Sequence, residues 1–365
     1  MSTARTAGAV ITGLGTAVRG LAGPPGLLGP LPAGHRSATD PVSRLTGRGL
    51  RYKDRATKLA MAAARDALSA AGLVDGGGEL TVSGDTFGVV ASTNYGNADT
   101  VCETVQTIAE STYLATSPML LPATSSNVVA SWIAITHGLR GANLTLCNGP
   151  TSGLDAVNWA RLLIAAGRVE RVLVVGVEPD NPAVRHVTDA PDPRPYDGYD
   201  GYDRDGDEAD GVPALFDGAV ALVVESPGSA AARGVRPLAA LGPYARRGDH
   251  AGAVSEVRAL NPGPVGLWCV PEHPEGVRAP APALGAAAGS APVHDLSALF
   301  GPASGALGVL QCAAATVWLD GDATGAGDVV LVSAGTGDAG GDDAGAALIL
   351  TAPGTVTAGL AGSTR

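Results

Sequence analysis

Aromatic side chains are scarce in this sequence: they make up 4% of 365 residues, whereas 45% of the residues are hydrophobic and 52 are glycines. A core of small aliphatic side chains requires close contact between helices and strands. No apolar run reaches about 18 residues, the length that crosses a bilayer, and the N-terminus has no apolar signal segment. We therefore expect a cytoplasmic protein that neither spans nor binds a membrane.

Positive charge is also in short supply. The 24 Lys and Arg residues face 35 Asp and Glu residues, so the net charge is −11 and the isoelectric point is about 4.9. This balance argues against nucleic acid and anionic membranes as partners. It suits a protein that meets a basic patch on another subunit, and it makes a poor primary docking surface for an acidic carrier protein.

Cysteines are few and scattered. None of the four, Cys102, Cys147, Cys269 and Cys312, lies close in sequence to another, which excludes a CxxC motif and zinc spacing. Their apolar neighbours predict four buried free thiols. No metal ligands are predicted: the acidic segment 179–213 has Glu208 where a calcium loop of the EF-hand type needs glycine, so we expect a plain acidic loop.

A glycine pair near the N-terminus offers only a weak cofactor signal. Gly13-Leu14-Gly15 follows an apolar strand, but the next glycine is Gly20 and no helix pattern follows it. A dinucleotide loop needs both features. We therefore predict no cofactor, and a nucleotide-dependent oxidoreductase is disfavoured.

The most informative stretch is residues 144–157. It predicts a strand, a sharp turn at Asn148-Gly149-Pro150, and a helix whose free N–H groups Thr151 or Ser152 could cap. Enzymes place a nucleophile at such an elbow because backbone amides at the helix start can hold an oxyanion. Pro150, at the tip, has neither a nucleophilic side chain nor an N–H group.

This stretch resembles the nucleophile elbow of the β-ketoacyl synthases of the thiolase superfamily. In that family a cysteine stands where Pro150 stands, followed by a small-Ser-Gly-Leu run like residues 151–154. The resemblance is greatest to chain-length factors of type II polyketide systems, including those that make reduced, polyene-type chains. It implies an α/β thiolase-like fold, a duplicated five-layer α-β-α-β-α arrangement, with halves at residues 9–232 and 233–352.

The family's two catalytic histidines are also replaced. The "GH.LGAAG" motif of the second histidine resembles residues 301–308, where Pro302 takes the histidine position. The motif of the first histidine matches residues 269–274, with Pro271 aligned without a gap and His273 only with one. The resemblance therefore implies no catalytic residue, and Pro150, Pro302 and Pro271 as degenerate positions.

Residues 98–113 predict a helix with one apolar face, for which two interpretations stay open. The helix could lie in the core. The resemblance instead implies that it lines an acyl tunnel at a dimer interface, with Ala98, Val101 and Val105 facing the tunnel. It also implies that the strand at residues 143–147 pairs across the dimer axis, so that the interface includes Leu144, Thr145 and Leu146.

Two further helices are predicted. Residues 52–72 form a strong pattern that Asp54 can cap, and residues 121–138 form a second one that starts after Pro122. His137 lies in the last turn of the second helix, where the helix dipole favours a capping histidine. Apolar runs at residues 87–92, 171–177, 216–225 and 329–333 predict buried strands.

These observations lead to one expected function and one alternative. The resemblance implies a non-catalytic subunit that forms a heterodimer with an active ketosynthase α subunit, shapes the tunnel for its growing polyketide or polyene chain, and meets acyl carrier protein only through that partner. The alternative is an independent acyltransferase or thioesterase that uses Cys147 or a serine. In that alternative the nucleophile would need to be accessible, whereas the strand alternation predicts a buried Cys147.

Overall fold

The computed structural model describes residues 8–33, 38–188, 215–272, 291–321, 328–335 and 344–354. Most of the acidic segment and the alternative histidine position His273 lie outside these residues. So does the C-terminal glycine-rich stretch beyond Gly335. The part of the acidic segment that is described was expected to be loop, but it contains a short helix that begins at Pro182, with the side chain of Asn181 accepting from the N–H of Val184.

The described strands form one ten-stranded mixed sheet in the order β3-β2-β4-β5-β1-β6-β10-β9-β7-β8. Both halves of the sheet have the same pattern when each is followed from its outer edge inward. In each half, three parallel strands are followed by two antiparallel strands, and β1 and β6 join the halves. The predicted duplication is therefore visible in the sheet order. The strands are β1 (Ala9–Val18), β2 (Phe87–Ser92), β3 (Asn143–Leu146), β4 (Arg171–Glu178), β5 (Gly218–Glu225), β6 (Ala239–Arg247), β7 (Leu267–Cys269), β8 (Val293–His294), β9 (Val329–Ala334) and β10 (Gly345–Thr351).

Helices cover both outer faces and fill the middle. The helices are α1 (Arg55–Ala70), α2 (Ala98–Glu110), α3 (Val128–His137), α4 (Ser152–Ala165), α5 (Pro182–Val187), α6 (Pro227–Ala232), α7 (His250–Leu260), α8 (Leu296–Phe300) and α9 (Leu307–Asp320). Helices α1 and α3 pack on the N-terminal strands, α7 packs on the C-terminal strands, and α4 and α9 pack between the halves. This is the expected layered α/β arrangement. The expected boundary at residues 232 and 233, between α6 and β6, stays a prediction.

Small residues allow α1 to approach β1 closely. The Asp54 side chain caps α1 by accepting from the N–H of Thr57 at 2.7 Å, as predicted. A Cβ at Gly13 would lie 2.6 Å from the carbonyl oxygen of Ala67, and one at Gly15 would lie 2.1 Å from that of Ala63. These glycines lie inside β1 and leave room for the helix backbone.

The limits of one element differ from the prediction. The segment 121–138 does not form one helix: it starts with a 3-10 turn at Leu121–Thr124, and α3 begins only at Val128. Between the turn and the helix, the hydroxyl of Ser125 donates to the side-chain oxygen of Asn127. This local hydrogen bond competes with the helical hydrogen bonds.

Candidate functional site

The predicted elbow is present, and its polar groups are already occupied. Strand β3 ends at Leu146, a 3-10 turn spans Gly149–Thr151, and α4 follows with Pro150 at the tip. Thr151 does not cap α4, because its hydroxyl donates to Asp155 at 2.9 Å instead. The hydroxyl of Ser152 accepts from the N–H of Asn148 at 2.8 Å, so it closes the turn and does not cap the helix.

Asn94, which follows β2, links the elbow to the loop that holds Pro302. Its side-chain amide nitrogen donates to the carbonyl oxygen of Gly149 at 3.0 Å and to the hydroxyl of Ser304 at 2.8 Å. Its side-chain oxygen accepts from the N–H of Gly149 at 3.2 Å. Pro150 has no N–H, and that of Gly149 is taken, so neither of these two residues offers a free donor to an oxyanion.

Glu178, at the end of β4, is a buried acid beside the elbow. Its carboxylate accepts from the N–H groups of Asn94 at 2.6 Å and Gly305 at 3.1 Å, and from the hydroxyl of Thr93 at 3.0 Å. Burial raises the pKa of Glu178 to about 7, although these hydrogen bonds act in the opposite direction. The sequence did not predict a role for Glu178, because its only local signal is its place as an acid at the end of an otherwise apolar strand.

The structure connects the three proline positions through hydrogen bonds. Pro302 is half-buried, and its carbonyl oxygen accepts from the N–H of Phe216 at 3.1 Å. Pro271 is buried in the segment that follows β7. The next residue, Glu272, accepts from the N–H groups of Ala303 and Ser304 in the loop after Pro302. Because Asn94 joins that loop to the elbow, all three prolines belong to one site without a thiol or an imidazole among these residues.

Two predictions about thiols are wrong. Cys147 and Cys102 are exposed, whereas Cys269 and Cys312 are buried as expected. Cys147 lies just beyond the end of β3, an edge strand that carries no neighbour on its outer side in the described part of the chain. Burial raises the pKa of the Cys269 thiol to about 12 and raises that of Cys312 further, so both are inert thiols.

Helix α2 is not a core helix, because its apolar face is open in the single chain. Ala98 is half-buried, and Val101 and Val105 are exposed, Val105 by 59%. The interface residues predicted on β3, namely Leu144, Thr145 and Leu146, are half-buried on the sheet edge. Further large apolar side chains are exposed on α2, on the segments that follow it, and on α3 and α4: Ile108, Tyr113, Leu114, Met119, Leu121, Ile135, Trp159 and Leu162.

His137 does not act as the capping histidine that we predicted. Both of its ring nitrogens are buried without a hydrogen-bond partner among the described residues, and the helix ends instead at Gly138 in the left-handed conformation. Burial, with a smaller contribution from the charge of Arg65, lowers the pKa of His137 to about 4. The imidazole is therefore neutral near pH 7, so it neither stabilises the helix dipole as a cation nor belongs to the elbow site.

The described residues contain no cluster of His, Cys, Asp and Glu side chains able to hold a metal ion. In the same part of the chain, every helix is too short or too polar to cross a bilayer.

Comparisons with known proteins agree with this geometry. Residues 31–190 match the family model described as the N-terminal domain of β-ketoacyl synthase. Over 277 residues the chain is 30% identical to a granaticin polyketide β-ketoacyl synthase of Streptomyces violaceoruber, which covers 65% of this chain and 63% of that protein. Over 192 residues it is 29% identical to 3-oxoacyl-[acyl-carrier-protein] synthase 2 of Vibrio harveyi, covering 48% and 44%. The chain thus matches roughly half to two thirds of the length of these relatives.

Solved structures extend the likeness to nearly the whole chain. The ishigamide ketosynthase/chain length factor aligns with a TM-score of 0.68 at 25% identity, over 94% of this chain and 99% of that one. A β-ketoacyl synthase from Burkholderia phymatum aligns with a TM-score of 0.72 at 16% identity over the same shares, which supports the fold alone.

The duplicated sheet and the strand–elbow–helix unit define the thiolase-like fold of condensing enzymes, which confirms the predicted fold class. Within that class, residues 31–190 match the N-terminal domain of β-ketoacyl synthase, and the proteins similar to the chain include a polyketide β-ketoacyl synthase and a ketosynthase/chain length factor.

Proposed function

We propose that this chain is a non-catalytic chain-length-factor subunit that forms a heterodimer with an active ketosynthase. The observation that carries the proposal is Pro150 at the tip of an otherwise intact elbow. A ketosynthase needs a thiolate at this point to carry the acyl chain and imidazoles to assist condensation. Prolines at positions 302 and 271 supply neither, and the likeness to a ketosynthase/chain length factor points to the same assignment.

The partner would cover the open edge of β3 and the apolar face of α2. An uncovered edge strand beside a broad apolar surface is unfavourable in water and is typical of an interaction surface. Pairing of residues 143–147 across the dimer axis would satisfy the outer backbone groups of β3. The partner's own surface would then receive acyl carrier protein, since the net charge of −11 on this chain repels an acidic carrier.

In that arrangement α2 lines the cavity into which the partner's acyl chain grows. Ala98, Val101 and Val105 are the residues that would face the chain, and their small side chains would leave a long channel. Val101→Trp in the co-expressed pair should therefore shorten the product without unfolding either subunit. Val293→Trp is the matched control, because Val293 is also exposed but lies on β8 at the opposite edge of the sheet.

Product length measured by mass spectrometry decides this part of the proposal. A shorter product for V101W with an unchanged product for V293W is expected. An unchanged product for V101W in a folded, active pair would contradict the tunnel role while leaving the heterodimer intact.

The alternative is an independent acyltransferase or thioesterase. The observation that favours it is the exposure of Cys147, which would be accessible to a substrate. Purified chain incubated alone with an acyl thioester separates the two functions. The subunit proposal expects no covalent acylation of any residue, and activity only in a mixture with an active ketosynthase. An acyl adduct found by mass spectrometry on the wild-type chain, and lost in Cys147→Ser or in a serine variant, would establish the alternative.

A further inference from the structure

Three consecutive backbone N–H groups in the loop after Pro302 are bound by two carboxylates of the same chain. Those of Ala303 and Ser304 donate to the same oxygen of Glu272, at 2.7 Å and 3.0 Å. That of Gly305 donates to Glu178 at 3.1 Å. We call the N–H groups of residues 303–305 the amide cradle.

The backbone conformation aims these groups in one direction. Ala303 has right-handed helical angles and Ser304 has a φ of 42°, the one positive φ among non-glycine residues in the described ranges. A right-handed residue followed by a left-handed one turns successive N–H groups into a concave anion-binding nest. A left-handed serine costs about 1 kcal/mol or more, and bonds from its N–H to a carboxylate offset that cost.

Glu272 reaches the amide cradle from a different loop. It follows Pro271 at the end of β7, whereas the cradle follows Pro302 before α9, so one side chain joins the two loops that hold the replaced histidine positions. Glu272 is only partly buried, and its side chain borders solvent. A small anion could therefore reach the cradle if this carboxylate were removed.

We propose that Glu272 is an internal anionic ligand: its carboxylate fills the amide cradle, clasps the two loops together and closes the cradle to carboxylates from solution. The contact holds the two loops of the degenerate site together. Hydrogen bonds to catalytic side chains or to a bound acid would otherwise have that role. The proposal concerns this chain alone and holds whether or not the chain sets the length of a partner's product.

Chemical rescue tests the proposal. Glu272→Ala removes one methylene and the carboxylate, which together have the size and charge of acetate. We expect E272A to lower the melting temperature of the full chain by several degrees, and acetate to restore most of the loss. Chloride, which cannot accept in the same geometry, should restore little, whereas acetamide, which offers the same neutral oxygen as a glutamine side chain, should restore part of the loss. Wild-type protein should gain no stability from acetate, because its cradle is occupied.

Two other variants control for general effects. Glu272→Gln keeps an oxygen in the position that accepts both N–H groups, so E272Q should melt close to wild type and ignore acetate. Glu256→Ala removes a half-buried carboxylate that pairs with Arg247 at a distant site, and it should show little loss and no rescue. Loss in E272A without rescue by acetate would overturn the proposal, as would equal rescue of E256A.

Hydrogen exchange gives a second measurement that does not depend on global stability. The amides of residues 303 and 304 should exchange slowly in wild type and E272Q, faster in E272A, and slowly again when acetate is added. If E272A does not fold, Glu272→Asp, whose carboxylate falls one methylene short of the cradle, should show the same faster exchange. Equal protection of these two amides in wild type and in folded E272A or E272D would refute the contact between Glu272 and the cradle.

Discussion

Substituting Gly153 by alanine should push the two central helices apart at the point where their backbones meet. Gly153 in α4 and Gly308 in α9 bring the two central helices together backbone to backbone. A Cβ at Gly153 would lie 2.6 Å from the nitrogen and 2.8 Å from the Cα of Gly308, and 2.9 Å from the nitrogen of Val309. Ordinary contact begins at 3.4 Å, and no flexible side chain is available to move, so a helix must shift by about 0.8 Å.

The magnitude follows from two opposing effects. Overpacking that displaces backbone costs up to about 3 kcal/mol, and replacing glycine by alanine inside a helix returns up to about 1 kcal/mol. We therefore expect G153A to lose about 2 kcal/mol of unfolding free energy. Denaturant unfolding of G153A and wild type, with equal slopes, measures this difference as a shift in midpoint.

Gly228 is the matched control for this prediction. It also lies in a helix, α6, but no atom lies within 4 Å of the Cβ that alanine would add. G228A should therefore be neutral or gain up to about 1 kcal/mol. A midpoint for G153A equal to that of wild type would refute the reasoning from backbone contact, and so would an equal loss in both variants.

Three further predictions concern the surface and pH. Val105→Asp should leave folding stability almost unchanged, because Val105 is 59% exposed, but should abolish co-purification with the proposed partner; undiminished co-purification would contradict the interface. Iodoacetamide should modify Cys102 and Cys147 but neither buried thiol, and partner binding should protect Cys147; mass spectrometry of the native protein checks both points. The depressed pKa of His137 means that the unfolded chain binds a proton between pH 6.5 and about 4 while the folded chain does not. Stability should fall through that window by up to about 3 kcal/mol, and His137→Leu should flatten the fall in urea unfolding measured across it; an unchanged slope would exclude His137 as the cause.

The sequence carries enough information for most of the fold because many elements are specified locally. Asp54 followed by an apolar helical pattern predicts α1, and continuous apolar runs predict β2, β4, β5 and β9. The later start of α3 was missed because local hydrogen bonds of serine and asparagine compete with a helix that the hydrophobic pattern alone would extend. Such competition depends on neighbouring segments: the side chain of Asn97 donates to the carbonyl oxygen of Ser125.

Exposure at the sheet edge could not be predicted from periodicity. The alternation of apolar residues in β3 gives Cys147 a buried position only if another strand covers the edge, and the single chain provides none among its described residues. The same holds for α2, whose apolar face predicts burial equally well against its own core or against a partner. A pattern reports that a face avoids water, but it does not identify what covers that face.

The acids of the site were missed for a different reason. Glu178 and Glu272 find their donors 83 to 127 and 31 to 32 residues away in sequence, respectively. Neither distance leaves a local motif, and a single acid after an apolar strand is a common feature. Only the resemblance singled out the loops concerned, and it singled out the prolines in them because those are the positions at which the family's chemistry is lost.

Those prolines show how the chemistry can be lost while the fold is kept. Pro150 lies in the first turn of a helical segment, where the backbone N–H has no partner within the helix and the fixed φ of proline is suitable. Its cost to the fold is therefore small, whereas under the proposed function it removes both a thiolate and an N–H donor from the tip of the elbow. The support around it, Asn94 on Gly149 and Ser152 on Asn148, does not require a cysteine at the tip. The shape of the elbow thus depends on the neighbours of the tip and not on the tip residue, which is the physical condition for a scaffold that serves a partner's cavity without a reaction of its own.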